Sequence, residues 1–291
     1  MTMLRKKMED DLGLRGLAPG TRNHYLGCVR RFAEFFWQSP AQLGTQHVRQ
    51  YLQHLGKLGR KPATIVVYWS ALLFIYKVTL GRPKVMCDVP RPRVPRPAGV
   101  VALTEAEVTV LLDCSGSPFN EMFYTVLYAC GLRVSEACAL QVGDIDVCAG
   151  LIHIRKGKGN KTRSVRLSPI VLEMLRQHWH WYQPPKPWLF PAQRLLQPGV
   201  INQNRPWADH PVSRETMSQR FREVRQRAGL KRRVTLHDFR RAYATSLREA
   251  GVDLRDIQVV LGHSSPETTA RYVSVSPELI KRLPCPLERL G

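Results

Sequence analysis

The sequence predicts a mainly α-helical chain with a small antiparallel β-sheet, an α+β protein in two domains. Apolar residues recur at helical spacing through most of its 291 residues. One stretch, LIHIRKGKGNKTRSVRL at 151–167, switches to strict alternation around a glycine-rich turn. VPRPRVPRPAG at 89–99 has no periodicity at all; its four prolines and three arginines make a stiff, extended connector. The connector divides a helical domain, 1–88, from a larger one, 100–291.

In the first domain, GTRNHYLGCVRRFAEFFW places Tyr25, Cys28, Val29, Phe32, Phe35 and Phe36 on one helical face. Thr45 opens a second helix through TQHVRQYLQHL. Pro62 and Ala63 open a third, through TIVVYWSALLFIYKVTLG, which Gly81 closes. With a weaker N-terminal segment this makes about four helices. Their aromatic residues read as core in preference to base-stacking surfaces.

In the second domain Thr104 and Glu107 form a capping box ahead of a helix, and PFNEMFYTVLYACG continues the helical pattern. Ile152 and Ile154 then alternate with His153 and Arg155, and Val165 and Leu167 with Ser164 and Arg166, so GKGN joins two strands of a hairpin. Helices resume near Ile170, break over the proline-rich 184–211 and resume from Ser213. Gly262 ends the helix DLRDIQVVL; Ser265 caps the next, with Pro266 at its first position. This puts His263 in an interhelix turn and Tyr272 about two turns into the following helix. In the 19 residues after Tyr272, Pro284 and Pro286 confine any helix to 276–283, with Leu279, Ile280 and Leu283 on one face.

The charge balance narrows the function. There are 44 Lys+Arg against 23 Asp+Glu, a net charge of +21. The portion through Ala98 carries 17 basic and 5 acidic residues, and the rest 27 and 18, so both halves suit a polyanion. The spread along the chain favours nucleic acid over an anionic membrane. Seven scattered cysteines, with no C-x-x-C pair, read as reduced thiols of a cytoplasmic protein. The start, MTMLRKKMEDDLG, lacks a signal-peptide pattern, and no window approaches the roughly 20 apolar residues of a membrane span.

Four short stretches hold residues suited to phosphoryl chemistry, and each has a plainer reading. Arg133 in GLRVSEACAL follows a helix-ending glycine; alternatively it pairs with Glu136 on the surface. Lys158 in GKGNKTR sits between two glycines at a hairpin tip, or in a solvated basic turn; the phosphate-binding pattern G-x-x-x-x-G-K-[ST] is absent. In TLHDFRRAYATSLREAG, Thr235 and Asp238 form a capping box, so His237 and Arg240 share a face at a helix start, where phosphate is favoured. LGHSSPETTARYVSV holds His263 and Tyr272, placed for reaction or equally for packing.

In this order, GLRVSE, GKGNKTR, LHDFRRAYAT and LGHSSPETTARY resemble the tyrosine recombinase (phage integrase) family, particularly its Xer-like bacterial members. The resemblance covers essentially the whole chain. It implies a helical core-binding domain and a catalytic domain that act on double-stranded DNA recombination sites. A phenolate attacks a backbone phosphate, a 3′-phosphotyrosine forms and a 5′-hydroxyl departs. No ATP is required and no cofactor or metal is implied. By the same resemblance Tyr272 is the nucleophile, Arg133 and Arg240 hold the phosphate, and Lys158 is the general acid. His237 accepts the tyrosine proton and His263 donates to the phosphate. Relatives act as tetramers on two duplexes, and their terminal helix docks on a neighbouring protomer, for which this tail is barely long enough.

The segment PPKPWLFPAQRLLQPGVINQNRPWADHPV contains the family's LFP but extends beyond it; integron integrases carry extra sequence in this region, which leaves a relationship to them or to integrases of transposons open. Two other functions remain open at this point: a type IB topoisomerase, which shares the chemistry but relaxes DNA as a monomer, and a DNA-binding regulator without catalysis.

Overall fold

The computed structural model describes residues 2–95, 102–155, 162–184, 186–193, 195–197, 200–201, 207–262, 280 and 283–289. The chain forms two compact units, Met1–Val100 and Val101–Gly291.

The first unit is helical. Its elements are α1 (Met3–Leu14), α2 (Pro19–Phe36), α3 (Thr45–Lys57), α4 (Pro62–Phe74), a π-helical turn Ile75–Thr79 and the short α5 (Lys84–Cys87). Proline stands in the first turn of α2 and of α4, where a missing N–H is harmless. Phe32, at 0% exposure, anchors the core between the rings of Tyr51 and Tyr76, with centroids 5.3 and 6.5 Å away. Such edge-on aromatic contacts fill a small core efficiently. Most aromatic residues of this unit are therefore core, as expected, but Trp37 at the end of α2 is exposed. The helix Pro62–Thr79 is long and apolar enough to cross a membrane, contrary to the expectation that no window comes close. Within the unit one face of it, with Tyr68, Ala71, Leu72, Ile75 and Tyr76, is buried in the core, while most of its other positions are only partly buried or exposed.

The second unit begins with α6 (Glu105–Asp113), where Thr104 and Glu107 exchange hydrogen bonds at 2.9 and 3.2 Å as a capping box. The nearly fully buried α7 (Pro118–Ala129) and the short α8 (Val134–Cys138) follow. A three-stranded antiparallel sheet comprises β1 (Ile145–Asp146), β2 (Leu151–Ile154) and β3 (Arg163–Arg166) in that order. Ile152 pairs with Val165 on the buried face, so the hairpin and its inward residues are as the alternation predicts. The added strand β1 is only two residues long, too short for any periodicity.

After α9 (Pro169–Tyr182), the proline-rich segment contains strands instead of a plain break. Strand β4 (Pro191–Gln193) pairs with β7 (Trp207–Pro211), and β5 (Leu195–Gln197) with β6 (Val200–Ile201). Prolines mask such strands in sequence, yet two-stranded ladders are all edge and tolerate them, as at Pro191 opposite Pro211. Trp207 stacks on Phe119 at 5.6 Å, and Phe190 of the LFP stretch is fully buried. Helices α10 (Arg214–Arg227), α11 (Leu236–Glu249) and α12 (Leu254–Leu261) follow, then a 3-10 turn at Pro286–Arg289.

Of the tail helix expected within 276–283, only Ile280 and Leu283 are described. Both are buried, and Leu283 packs with Tyr243, Leu247, Ile257, Val260 and Leu261. Cys285 and Leu287 enter the main core, and Arg166 donates to the Leu283 carbonyl at 2.5 Å. The described end of the tail therefore docks on its own unit.

Candidate active site

Two residues past α7, Gly131 turns the chain with a φ of +60° that favours glycine; a Cβ built there would lie 2.3 Å from the Tyr243 ring of α11. This close approach sets the start of α8 against α11. Arg133 is the N-cap of α8, and Glu136, three residues on, returns its carboxylate to the Arg133 N–H at 2.8 Å. On α11 the Asp238 carboxylate accepts from the Thr235 N–H and hydroxyl, both at 2.7 Å, which fixes the helix start beneath His237 and Arg240.

Glu136, only 5% exposed, is the centre of the site. It accepts from Arg133 Nη1 at 2.7 Å and, through both oxygens, from Arg163 Nη1 and Nη2 at 2.7 and 2.8 Å; Arg240 Nη1 stands 3.8 Å away. Burial alone would raise its carboxyl, but the hydrogen bonds and charge of Arg163, followed by the bonds from Arg133, bring it down to about 2.

The same three arginines converge on the C-terminal end of α12. Gly262 closes that helix with φ +61°, leaving its last carbonyls to seek outside donors. Arg163 Nε donates to the Val260 carbonyl at 2.8 Å, Arg240 Nη2 to Leu261, and Arg133 Nη2 to Gly262 at 2.7 Å. The helix end is the negative pole of its dipole, so it favours these cations. Arg240 also donates to the Gly131 carbonyl at 2.6 Å. Its deep burial, then the charges of Arg133 and Arg163, lower its guanidinium to about 9, still protonated at neutral pH.

Three guanidinium groups thus surround one carboxylate, a local excess of two positive charges. Each arginine carries five N–H donors, and Arg133 and Arg240 each spend two on the partners named. Arg240 Nε is buried without a partner among the described residues. Such an arrangement suits a tetrahedral oxyanion.

The structure brings Arg133 and Arg240 together. His237 is exposed at the start of α11. Its imidazole is lowered from the ordinary histidine value by desolvation, then by the charges of Arg241 and Arg240. Lys158, His263 and Tyr272 lie outside the described residues. Among the described residues, no group of three or more His, Cys, Asp or Glu is arranged to hold a metal ion. Sequence reasoning treated Glu136 only as a partner for Arg133 and passed over Arg163. A signal existed: residue 163 shares the inward face of β3 with Val165, and an inward arginine needs an acceptor.

A mainly helical unit carrying this cationic cluster is suited to a phosphate-bearing substrate. Residues 102–278 match the phage integrase family, and residues 4–84 match the phage integrase N-terminal SAM-like domain. A protein of Sinorhizobium fredii named "Putative integrase/recombinase y4qK" is 36% identical over all of this chain and 90% of its own length. The tyrosine recombinase XerA of Thermococcus kodakarensis is 30% identical over 95% of this chain and 92% of its own. In fold, the chain is similar to a lambda integrase dimer bound to a COC′ core site: TM-score 0.70, 17% identity, 91% of this chain and 92% of that one. The chain belongs to the phage integrase family, and it is a site-specific tyrosine recombinase. Neither the topoisomerase nor the non-catalytic reading gains support from these relatives.

Proposed function

We propose that this recombinase cuts and rejoins double-stranded DNA at its recombination sites with Tyr272 as nucleophile, Lys158 as general acid, and Arg133, His237, Arg240 and His263 around the phosphate. The observation that carries the reading is the convergence of Arg133 and Arg240 on the C-terminal end of α12, which ends two residues before His263 and eleven before Tyr272. The clamp holds Gly262, the last described residue before His263, beside both arginines.

In the reaction His237, held neutral by its lowered affinity for protons, accepts the phenolic proton. The phenolate oxygen forms a bond to phosphorus, and Arg133 and Arg240 hold the charge that builds on the nonbridging oxygens. The bond to the 5′-oxygen breaks as Lys158 supplies its proton. The 3′-phosphotyrosine retains the phosphodiester energy, so a 5′-hydroxyl from another strand reverses the step without ATP.

Residues 1–88 serve as the core-binding domain, 89–99 as the linker and 100–291 as the catalytic domain. The net charge of +21 supports DNA contact by both halves, with affinity falling steeply as salt rises. Assembly as a homotetramer on two duplexes, in the cytoplasm, completes the reading; a solved relative is a lambda integrase tetramer bound to a Holliday junction. The decisive test is Tyr272→Phe on a suicide duplex nicked beside the cleavage site. Binding is expected to persist while covalent capture disappears. An adduct formed by the Phe variant would remove Tyr272 from the mechanism.

A further inference from the structure

An arginine stands at the outer end of each hairpin strand: Arg155 directly after β2, and Arg163 as the first residue of β3. On the outgoing side, Arg155 pairs with the Asp144 carboxylate and donates to Gln141 Oε1 at 3.1 Å, from a side chain 55% exposed. Asp144 is buried, but the Arg155 guanidinium stands largely in solvent, so water screens this pair more than one with both partners buried. On the return side, Arg163 is only 10% exposed and uses all three of its nitrogens, two on Glu136 and one on the Val260 carbonyl. Its fork fits both carboxylate oxygens at once, a geometry no other basic side chain reproduces. It sits opposite Ile154, the last pair of the β2–β3 ladder, and Lys158 lies five residues before it in the chain.

The rest of the cluster does not depend on Arg163. Without it Arg133 would keep Glu136 and the Gly262 carbonyl, and Arg240 would keep the Gly131 and Leu261 carbonyls. Helix α12 would keep its own cap, in which the Gly262 N–H donates to Val259 at 2.9 Å. What loses its tie is the outer end of β3. We infer that Arg163 is a positioning residue for the general acid: by locking the return strand of the hairpin onto Glu136 and the end of α12, it fixes where Lys158 can deliver its proton.

This inference rests on the assignment of Lys158, and a substrate with sulfur in place of the bridging 5′-oxygen separates the two. When the phosphorus–sulfur bond breaks, the electron pair leaves on sulfur as a thiolate and no proton is needed. Lys158→Ala, Arg163→Met and Arg163→Lys are compared in single-turnover cleavage of nicked suicide duplexes with oxygen or sulfur at that position. Lys158→Ala is expected to lose roughly 100-fold or more on oxygen and to recover on sulfur. Arg163→Met is expected to lose about 30-fold on oxygen, a partial loss of the same proton transfer, and to come within a few-fold of the parent on sulfur. Should Arg163→Met fail to fold, Arg163→Lys carries the test, since it keeps the charge but not the fork. An unchanged oxygen-to-sulfur rate ratio in the folded Arg163 variant, beside a rescued Lys158→Ala, would overturn the positioning role alone. Lys158→Ala left unrescued would overturn the acid assignment and the inference with it.

Discussion

Arg163 grips both carboxylate oxygens of Glu136, at 2.7 and 2.8 Å, across 27 residues of chain. The pair joins the return strand of a hairpin to the first turn of α8, and Arg133 shares the same carboxylate. Removing Glu136 would leave both arginines without their shared carboxylate, whereas removing Arg163 leaves Glu136 still paired with Arg133.

The Glu136 carboxyl, at about 2 in the folded chain against an ordinary value of 4.5, makes the fold sensitive to acid. A depressed carboxyl contributes stability that is complete above pH 4.5 and is lost as pH falls toward 2. The displacement corresponds to about 3 kcal/mol. Urea titrations of the parent and Glu136→Gln from pH 2 to 6 are expected to differ most above pH 4.5 and to converge by pH 2. A gap constant with pH would show that the carboxylate charge is not what stabilises the cluster.

His237 is predicted to set the acid limb of the cleavage rate. Its proton affinity is reduced by desolvation first and by Arg241 second, so the limb should lie below pH 6.5. Arg241 is 45% exposed and paired with Asp238 at 2.8 Å. Arg241→Met removes a repelling cation and frees a neighbouring carboxylate, and both changes shift the limb toward neutral pH. Single-turnover cleavage from pH 5 to 8 measures it. A limb that persists in His237→Gln would belong to another group.

The docked tail makes a stability prediction that a purely intermolecular tail would not. Leu283, 3% exposed among Tyr243, Leu247 and α12 residues, should cost about 3 kcal/mol when cut to alanine. Urea denaturation and native gel shifts on one site and on paired sites check it. Loss of single-site binding along with synapsis would mark the local role. Unchanged stability with weakened synapsis would place the tail on a neighbouring protomer.

Much of this was legible in the sequence, because the relevant forces are local. Helical periodicity marks α2, α3 and α4, alternation marks β2 and β3, and the capping residues at 104 and 235 need only neighbours three positions on. The order of the family motifs identified the chemistry before any contact was known. Beyond the local Arg133–Glu136 pair, the tertiary structure alone decided what the arginines touch. Arg163 meets Val260 across 97 residues and Arg133 meets Gly262 across 129, contacts that depend on how a hairpin, a turn and two helices stack. No period in the sequence encodes such a meeting. The strands at 191–211 and the buried tail belong with these, because both are stabilised by partners distant in the chain, such as Phe119 for Trp207 and Tyr243 for Leu283, and neither carries a repeat of its own.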